Sequence, residues 1–276
     1  MDAEKLADGT MAYRIDPAGM PPAAAVLFAH GFAESAPRHV ATLTSFAEAG
    51  FAAYAFDLPG HGRSPGARGF VRRFDDVVRA MALLRARIDE RYPQVPLFLM
   101  GYSLGGLAAL RAAQRDPAPV AGVVLVAAGL GVASHVPPVV RRIGVAVGEI
   151  APHVPVARLR LRNLRPEDGN APGGLLDLLL PRDPLVPART AAEAMRASHA
   201  AFAGAASWRT PTLFVNGEAD RVVPLASARR FVALARNAET TLDLVAGAHH
   251  DLLRGRHAEA VRATIVAWMR AHLSAS

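Results

Sequence analysis

Six short and almost uninterrupted apolar runs are spaced along this chain, with stretches of helical periodicity between them. The runs cover 24–29, 51–56, 96–100, 122–127, 211–215 and 240–245. Continuous apolar runs of this length suit strands covered on both faces. Segment 73–91 places Phe74, Val77, Val78, Met81, Leu84 and Ile88 mostly at spacings of three and four, one face of a helix. Further helical patterns follow at 104–115, 226–236 and 258–273. Strand–helix alternation predicts an α/β fold: a mostly parallel central sheet flanked by helices on both faces. With 276 residues, 51% of them hydrophobic, there is enough apolar side chain for one large core.

One interval breaks the rhythm. Roughly 80 residues separate the fourth run from the fifth, far more than one helical crossover needs. Helical patterns at 139–150 and 190–203 flank a proline- and arginine-rich stretch, a turn-rich stretch and the leucine-rich run 175–180. We expect an inserted, mainly helical cap over residues 128–209, with the core formed by 1–127 and 210–276.

Composition excludes several chemistries. Cysteine is absent, which removes disulfides, thiolate metal sites and a cysteine nucleophile. Lys5 is the only lysine among 31 basic residues, so there is no Gly-Lys-Ser/Thr phosphate loop and no well-placed Schiff-base lysine. The net charge of +7 comes from arginines spread over many segments, and aromatics are only 6%, which argues against a nucleic-acid binder. The longest near-apolar run, 120–134, is broken by glycines and falls short of the roughly 18–20 residues of a membrane span. Met1-Asp2-Ala3-Glu4-Lys5 has no basic start leading into an apolar stretch, so the expectation is a cytoplasmic protein without an export signal.

The chemistry concentrates at the ends of the apolar runs. Gly101-Tyr102-Ser103-Leu104-Gly105-Gly106 sits between a predicted strand and a predicted helix. A sharp strand–helix turn there pushes the Ser103 hydroxyl out at the carboxyl edge of the sheet and aims a helix N-terminus at it. A serine hydroxyl needs a base, and the base needs an orienting carboxylate. Asp220 lies just after the fifth run; Glu218 beside it and Asp243 inside the sixth are rival acids. His249 and His250 lie just after the sixth run. Serine, acid and histidine in that order match the α/β-hydrolase arrangement. The oxyanion of a tetrahedral intermediate needs two donors. The Leu104 N–H follows from the elbow, and the Phe32 N–H is the candidate from the loop after the first run.

These motifs resemble the monoacylglycerol lipase and lysophospholipase branch of the α/β-hydrolases. The matching segments are His30-Gly31-Phe32-Ala33-Glu34-Ser35, Phe56-Asp57-Leu58-Pro59-Gly60-His61-Gly62-Arg63-Ser64, Gly101 to Gly106, Gly217 to Asp220 and Gly247 to Leu252. Asp183-Pro184-Leu185-Val186 resembles a motif of that family's cap. In the family a Glu follows the catalytic histidine; here Asp251 follows His250, so the resemblance implies His250 rather than His249 as base. It also implies that Glu34 and Arg38 line the headgroup end of the pocket. The family usually has His where this chain has Ser35.

The expected function is therefore hydrolysis of carboxylic esters with medium or long acyl chains, monoacylglycerols or lysophospholipids foremost. Ser103, Asp220 and His250 form the expected triad, with Phe32 and Leu104 as oxyanion donors. Leu176 and Leu179 are candidates for the wall of an acyl tunnel, and the cap's apolar stretches suit transient contact with a lipid surface. Other chemistry on the same triad (a small-ester esterase, a peptidase, a carbon–carbon hydrolase) and a non-catalytic ligand-binding homologue are the alternatives. His30 and His61 read as loop-packing residues. The other histidines form no His-Glu-x-x-His set, and Gly60-x-Gly62 is not a dinucleotide site, so no metal or cofactor is expected.

Overall fold

The structure, a computed structural model, describes residues 1–116, 118–131, 136–158 and 184–273. In chain order the strands are β1 (Asp2–Lys5), β2 (Met11–Ile15), β3 (Ala24–Ala29), β4 (Phe51–Phe56), β5 (Leu97–Tyr102), β6 (Gly122–Val126), β7 (Pro155–Arg158), β8 (Leu185–Pro187), β9 (Thr212–Gly217) and β10 (Thr240–Val245). The helices are α1 (Val40–Glu48), α2 (Phe74–Arg91), α3 (Leu104–Arg115), α4 (Pro138–Ile150), α5 (Ala188–Ala203), α6 (Leu225–Leu234) and α7 (Ala258–Ala271).

The six apolar runs are β3, β4, β5, β6, β9 and β10 of an eight-stranded sheet, in the order β1-β2-β4-β3-β5-β6-β9-β10. From β4 to β10 the strands are parallel; β1 and β2 add an antiparallel edge. Every residue of β3, β4, β5, β6 and β9 is buried, which is why these strands read as continuous runs rather than alternating ones. Two core layers receive alternate residues. Leu27 and Leu99 point with Met81, Leu84 and Leu107 into one; Phe28 and Met100 point with Leu43, Phe46 and Ile265 into the other. Each such side chain contributes about 1.5–3 kcal/mol on burial.

Sequence boundaries and structure differ where ladder bonding outlasts hydrophobicity. The third run extends through Gly101 and Tyr102, and the fifth through Asn216 and Gly217, because their backbones still pair with β3, β6 and β10. The helices expected at 226–236 and 258–273 each end two residues early.

Strand register brings the motif loops together. Ala29 of β3 lies opposite Gly101 of β5, and Val245 of β10 lies opposite Gly217 of β9. The loops that follow all leave the carboxyl edge, and strand order reverses between β3 and β5, where ligands bind in open α/β sheets.

Between β6 and β9 lie α4, the two-stranded β7–β8 pair and α5. Helix α5 packs directly on α2 and α3. Glu193 on α5 accepts the Phe74 N–H at the start of α2 at 2.8 Å, Thr190 accepts the Val71 N–H at 2.9 Å, and Gln114 on α3 donates to the Ala201 carbonyl at 2.9 Å. Glu149 on α4 pairs with Arg189 and Arg196 on α5, so the two helices are joined by charge as well as by packing. Much of the surface of α4 and β7 is apolar and exposed, including Val139, Ile143, Ile150 and Val156. Among the described residues no helix is long and apolar enough to cross a membrane.

Candidate active site

Ser103 stands alone between β5 and α3 with φ 53° and ψ −117°, a left-handed turn that a serine adopts only under constraint. The constraint is close packing of backbone. A Cβ at Gly101 would lie 2.1 Å from the Gly105 carbonyl oxygen, and one at Gly105 would lie 2.1 Å from that of Ala29. Only glycine permits this approach. The Ser103 backbone is then pinned on both sides: its N–H donates to Val126 at 3.0 Å, and its carbonyl accepts from Gly129 at 2.7 Å.

His250 and Asp220 complete a line of hydrogen bonds. His250 Nε2 lies 3.0 Å from Ser103 Oγ, and Nδ1 lies 2.8 Å from Asp220 Oδ2. A carboxylate can only accept, so Nδ1 carries the proton and Nε2 of the neutral ring is free to accept the serine hydroxyl. The other oxygen, Asp220 Oδ1, accepts the N–H groups of Val222 at 2.7 Å and Val223 at 3.0 Å. Both side chains are about 1% exposed, so this polar line runs in a dry setting where it is strong. His249 takes a different partner, its Nδ1 donating to the Ala219 carbonyl at 2.9 Å. Asp243 sits inside β10, paired with Val215, and Glu218 is exposed.

Leu104 is the first residue of α3, where N–H groups have no partner within the helix. Phe32 follows Gly31, and Ala33 takes φ 58°, turning the loop over the end of β3. His30 fixes this loop from beneath. Its Nδ1 donates to the Gly31 carbonyl at 2.7 Å and its Nε2 accepts the Leu58 N–H at 3.0 Å. Complete burial pushes its pKa down to about 3, so it is a neutral strut. His61 is also buried and lowered by desolvation, its Nδ1 donating to the Pro59 carbonyl and its ring meeting the edge of Phe32.

Glu34 and Arg38 lie beside the loop of Gly31 and Phe32 and are mostly buried. Glu34 Oε2 accepts the Gly31 N–H at 3.2 Å and meets His39 Nε2 at 3.0 Å; Oε1 faces Arg38 at 3.4 Å. Burial alone would raise the Glu34 pKa, but His39, Arg38 and Arg254 outweigh it and hold the carboxyl well below the usual range. Arg254 also pairs with Asp251. Burial raises the Asp251 pKa, with Arg254 opposing it. Sequence reading passed over His39 and Arg254. The available signal was weak: an acid directly after His250 and an arginine three residues further on. Leu176 and Leu179 lie outside the described residues. Among the described residues no cluster of His, Asp and Glu could hold a metal ion.

A serine on a strand–helix elbow, served by a histidine and an aspartate from later strand ends of a mostly parallel sheet, defines an α/β-hydrolase. The family model described as serine aminopeptidase, S33, matches residues 20–256, and the chain belongs to that family. A monoacylglycerol lipase from Mycolicibacterium smegmatis is 27% identical over 266 residues, covering 91% of this chain and 90% of the relative. The crystal structure of a monoacylglycerol lipase from Paleococcus ferrophilus superposes with a TM-score of 0.80 at 24% identity, over 99% of this chain and 100% of that one. A soluble variant of monoglyceride lipase from Saccharomyces cerevisiae, bound to a substrate analogue, superposes with a TM-score of 0.78 at 17% identity, over 98% and 94%.

Proposed function

We propose that this chain is a serine hydrolase that cleaves carboxylic esters of medium or long acyl chains, monoacylglycerols or lysophospholipids in particular. The observation that carries the reading is the Ser103–His250–Asp220 line, with separations of 3.0 and 2.8 Å. The names of the relatives point to the lipid ester. Ser103 Oγ attacks the ester carbonyl while His250 Nε2 takes its proton. The carbonyl oxygen becomes an oxyanion held by the Phe32 and Leu104 N–H groups. Collapse breaks the ester C–O bond, and His250 returns its proton to the leaving alcohol. Water, deprotonated by the same histidine, then releases the acid and frees Ser103. Asp220 holds the ring tautomer and balances the imidazolium charge.

Residues 128–209 act as the cap that selects the acyl chain. Each further buried methylene adds up to about 0.8 kcal/mol, so kcat/KM climbs with chain length until the tunnel ends. The exposed apolar side chains of α4 and β7 suit contact with a lipid surface, and anionic vesicles are the partner to try first because Arg141, Arg142 and Arg158 lie among them.

The test is a chain-length series of p-nitrophenyl esters beside monoacylglycerols, lysophospholipids and triacylglycerols, with wild type and Ser103→Ala. A rising then sharply falling profile, weak triacylglycerol activity and loss of turnover in Ser103→Ala are expected. A flat profile with strong triacylglycerol activity overturns the covered lipid site. Turnover of aminoacyl p-nitroanilides instead of esters gives the peptidase reading, which the family description favours.

A further inference from the structure

We propose that Arg254 is a positioning residue that clamps the loop carrying His250 to the loop carrying Phe32, so that base and oxyanion donor keep one relative geometry. The proposal rests on the ester-hydrolase reading above. The Phe32 loop follows β3 and the His250 loop follows β10, and β5, β6 and β9 lie between these strands in the sheet. Adjacent strands rotate against each other by about 20–25°, so small changes in twist would add up across that distance. A direct link between the two loops removes this freedom.

Such a link is present. Asp251, the residue after His250, pairs with the Arg254 guanidinium, and the same nitrogen lies 3.9 Å from Glu34 Oε1. Glu34 in turn accepts the N–H of Gly31, the residue before Phe32, at 3.2 Å. The path thus runs from His250 through Asp251, Arg254, Glu34 and Gly31 to Phe32. The ring of Tyr102, the residue before the serine, lies 5.2 Å from that of His250.

The chemistry of these groups fits a clamp better than a source of stability. The Asp251 side chain is fully buried and that of Arg254 is 17% exposed. A buried ion pair is often no more stable than apolar side chains of the same volume, and fixing one arrangement is its best-attested use. Arginine suits the task because its planar guanidinium is pre-organised and always charged, so less side-chain freedom is lost per contact than with a lysine ammonium.

Three variants test this: Arg254→Leu, Arg254→Lys and the charge-neutral Asp251→Asn/Arg254→Gln. The double variant guards against Arg254→Leu failing to fold because Asp251 is left buried without its arginine. Active sites are counted by saturating Ser103 with a fluorophosphonate, and kcat is expressed per labelled serine. Arg254→Leu and the double variant are expected to lose about 10–100-fold in kcat with KM nearly unchanged. The affinity for a boronic acid transition-state analogue should fall by the same factor as kcat/KM, and Arg254→Lys should recover part of both. Unchanged kcat per labelled serine in the double variant overturns the clamp, as does a rise in KM alone, which would make Arg254 a substrate contact. If the wild type hydrolyses no ester, the functional reading fails separately. The rate of Ser103 labelling then decides the clamp: a fall of about 10–100-fold in the variants supports it, and an equal rate overturns it.

Discussion

Asp220 gives His250 only one of its two carboxylate oxygens. Oδ2 meets the imidazole at 2.8 Å, while Oδ1 is held by the N–H groups of Val222 and Val223 at 2.7 and 3.0 Å. The backbone turn therefore fixes the direction from which the carboxylate faces the ring. Asp220→Asn keeps an oxygen for the turn and offers an amide N–H₂ to Nδ1. The imidazole is then forced into the tautomer whose Nε2 carries a proton and cannot accept one from Ser103. We expect kcat to fall on the order of 10⁴-fold with the melting temperature nearly unchanged. Asp220→Ala loses the turn bonds as well, and should also cost about 1–3 kcal/mol of stability. Ester kinetics and thermal unfolding of the two variants check this.

Adjacent histidines in one turn take different partners, which separates their variants. His250→Ala should lose activity as severely as Ser103→Ala. His249→Ala removes one bond to the Ala219 carbonyl and should cost less than about tenfold in kcat. The measurement is kcat for both with a short p-nitrophenyl ester.

Gly105→Ala should abolish folding of the elbow. Its Cβ would lie 2.1 Å from the Ala29 oxygen and 2.4 Å from the His30 oxygen, both backbone atoms that cannot step aside. A loss above about 4 kcal/mol is expected, a large part of the about 5–15 kcal/mol that holds a typical domain together. Gly144→Ala on α4 is the control: nothing lies within 4 Å of its Cβ, and it should gain up to about 1 kcal/mol from helix propensity. Soluble yield and urea unfolding distinguish the two.

Stability should fall as pH drops from about 6.5 to about 3 through His30, whose pKa burial pushes down to about 3. Over that range the unfolded chain binds a proton at this histidine and the folded chain does not, so acid favours unfolding. One such proton changes stability by about 1.4 kcal/mol per pH unit. His61, also lowered by burial, acts in the same direction. His30→Gln should therefore flatten the dependence by about 1.4 kcal/mol per unit between pH 4 and 6. Urea denaturation at several pH values, wild type against variant, measures it.

The buried parallel strands were legible because each is covered on both faces and so carries an unbroken apolar run. Other elements left weaker traces. β1 is Asp-Ala-Glu-Lys, exposed along its whole length, and pairs through backbone bonds that need no particular side chain. Helix α1 begins without a side-chain cap and carries Val40, Thr42 and Thr44, β-branched residues that weaken a helical signal; Leu43 and Phe46 hold it by packing. The stretch between β6 and β9 was legible as an interval too long for one crossover. That α5 within it packs on α2 and α3 was not, since its buried face is built of small alanines, Ala194, Ala197 and Ala201 among them, and its polar contacts run through Thr190, Glu193 and Gln114.

By itself the sequence determined the alternation of strands and helices, the glycine-framed Ser103 elbow, and the order of serine, acid and histidine at strand ends. These are local: they follow from side-chain periodicity, from the absence of Cβ atoms at two positions, and from where apolar runs stop. The family resemblance pointed to His250 and Asp220, and the tertiary structure sets their side chains, rather than those of His249, Glu218 and Asp243, in line with Ser103. The tertiary structure also decided that Glu34 turns toward His39 and Arg38, and that Arg254 joins loops from β3 and β10. Those outcomes depend on strand order and on torsions within turns, which place residues far apart in the chain within 3–4 Å of one another. No spacing in a linear sequence encodes such a distance, because it exists only once the sheet has set the positions of its loops.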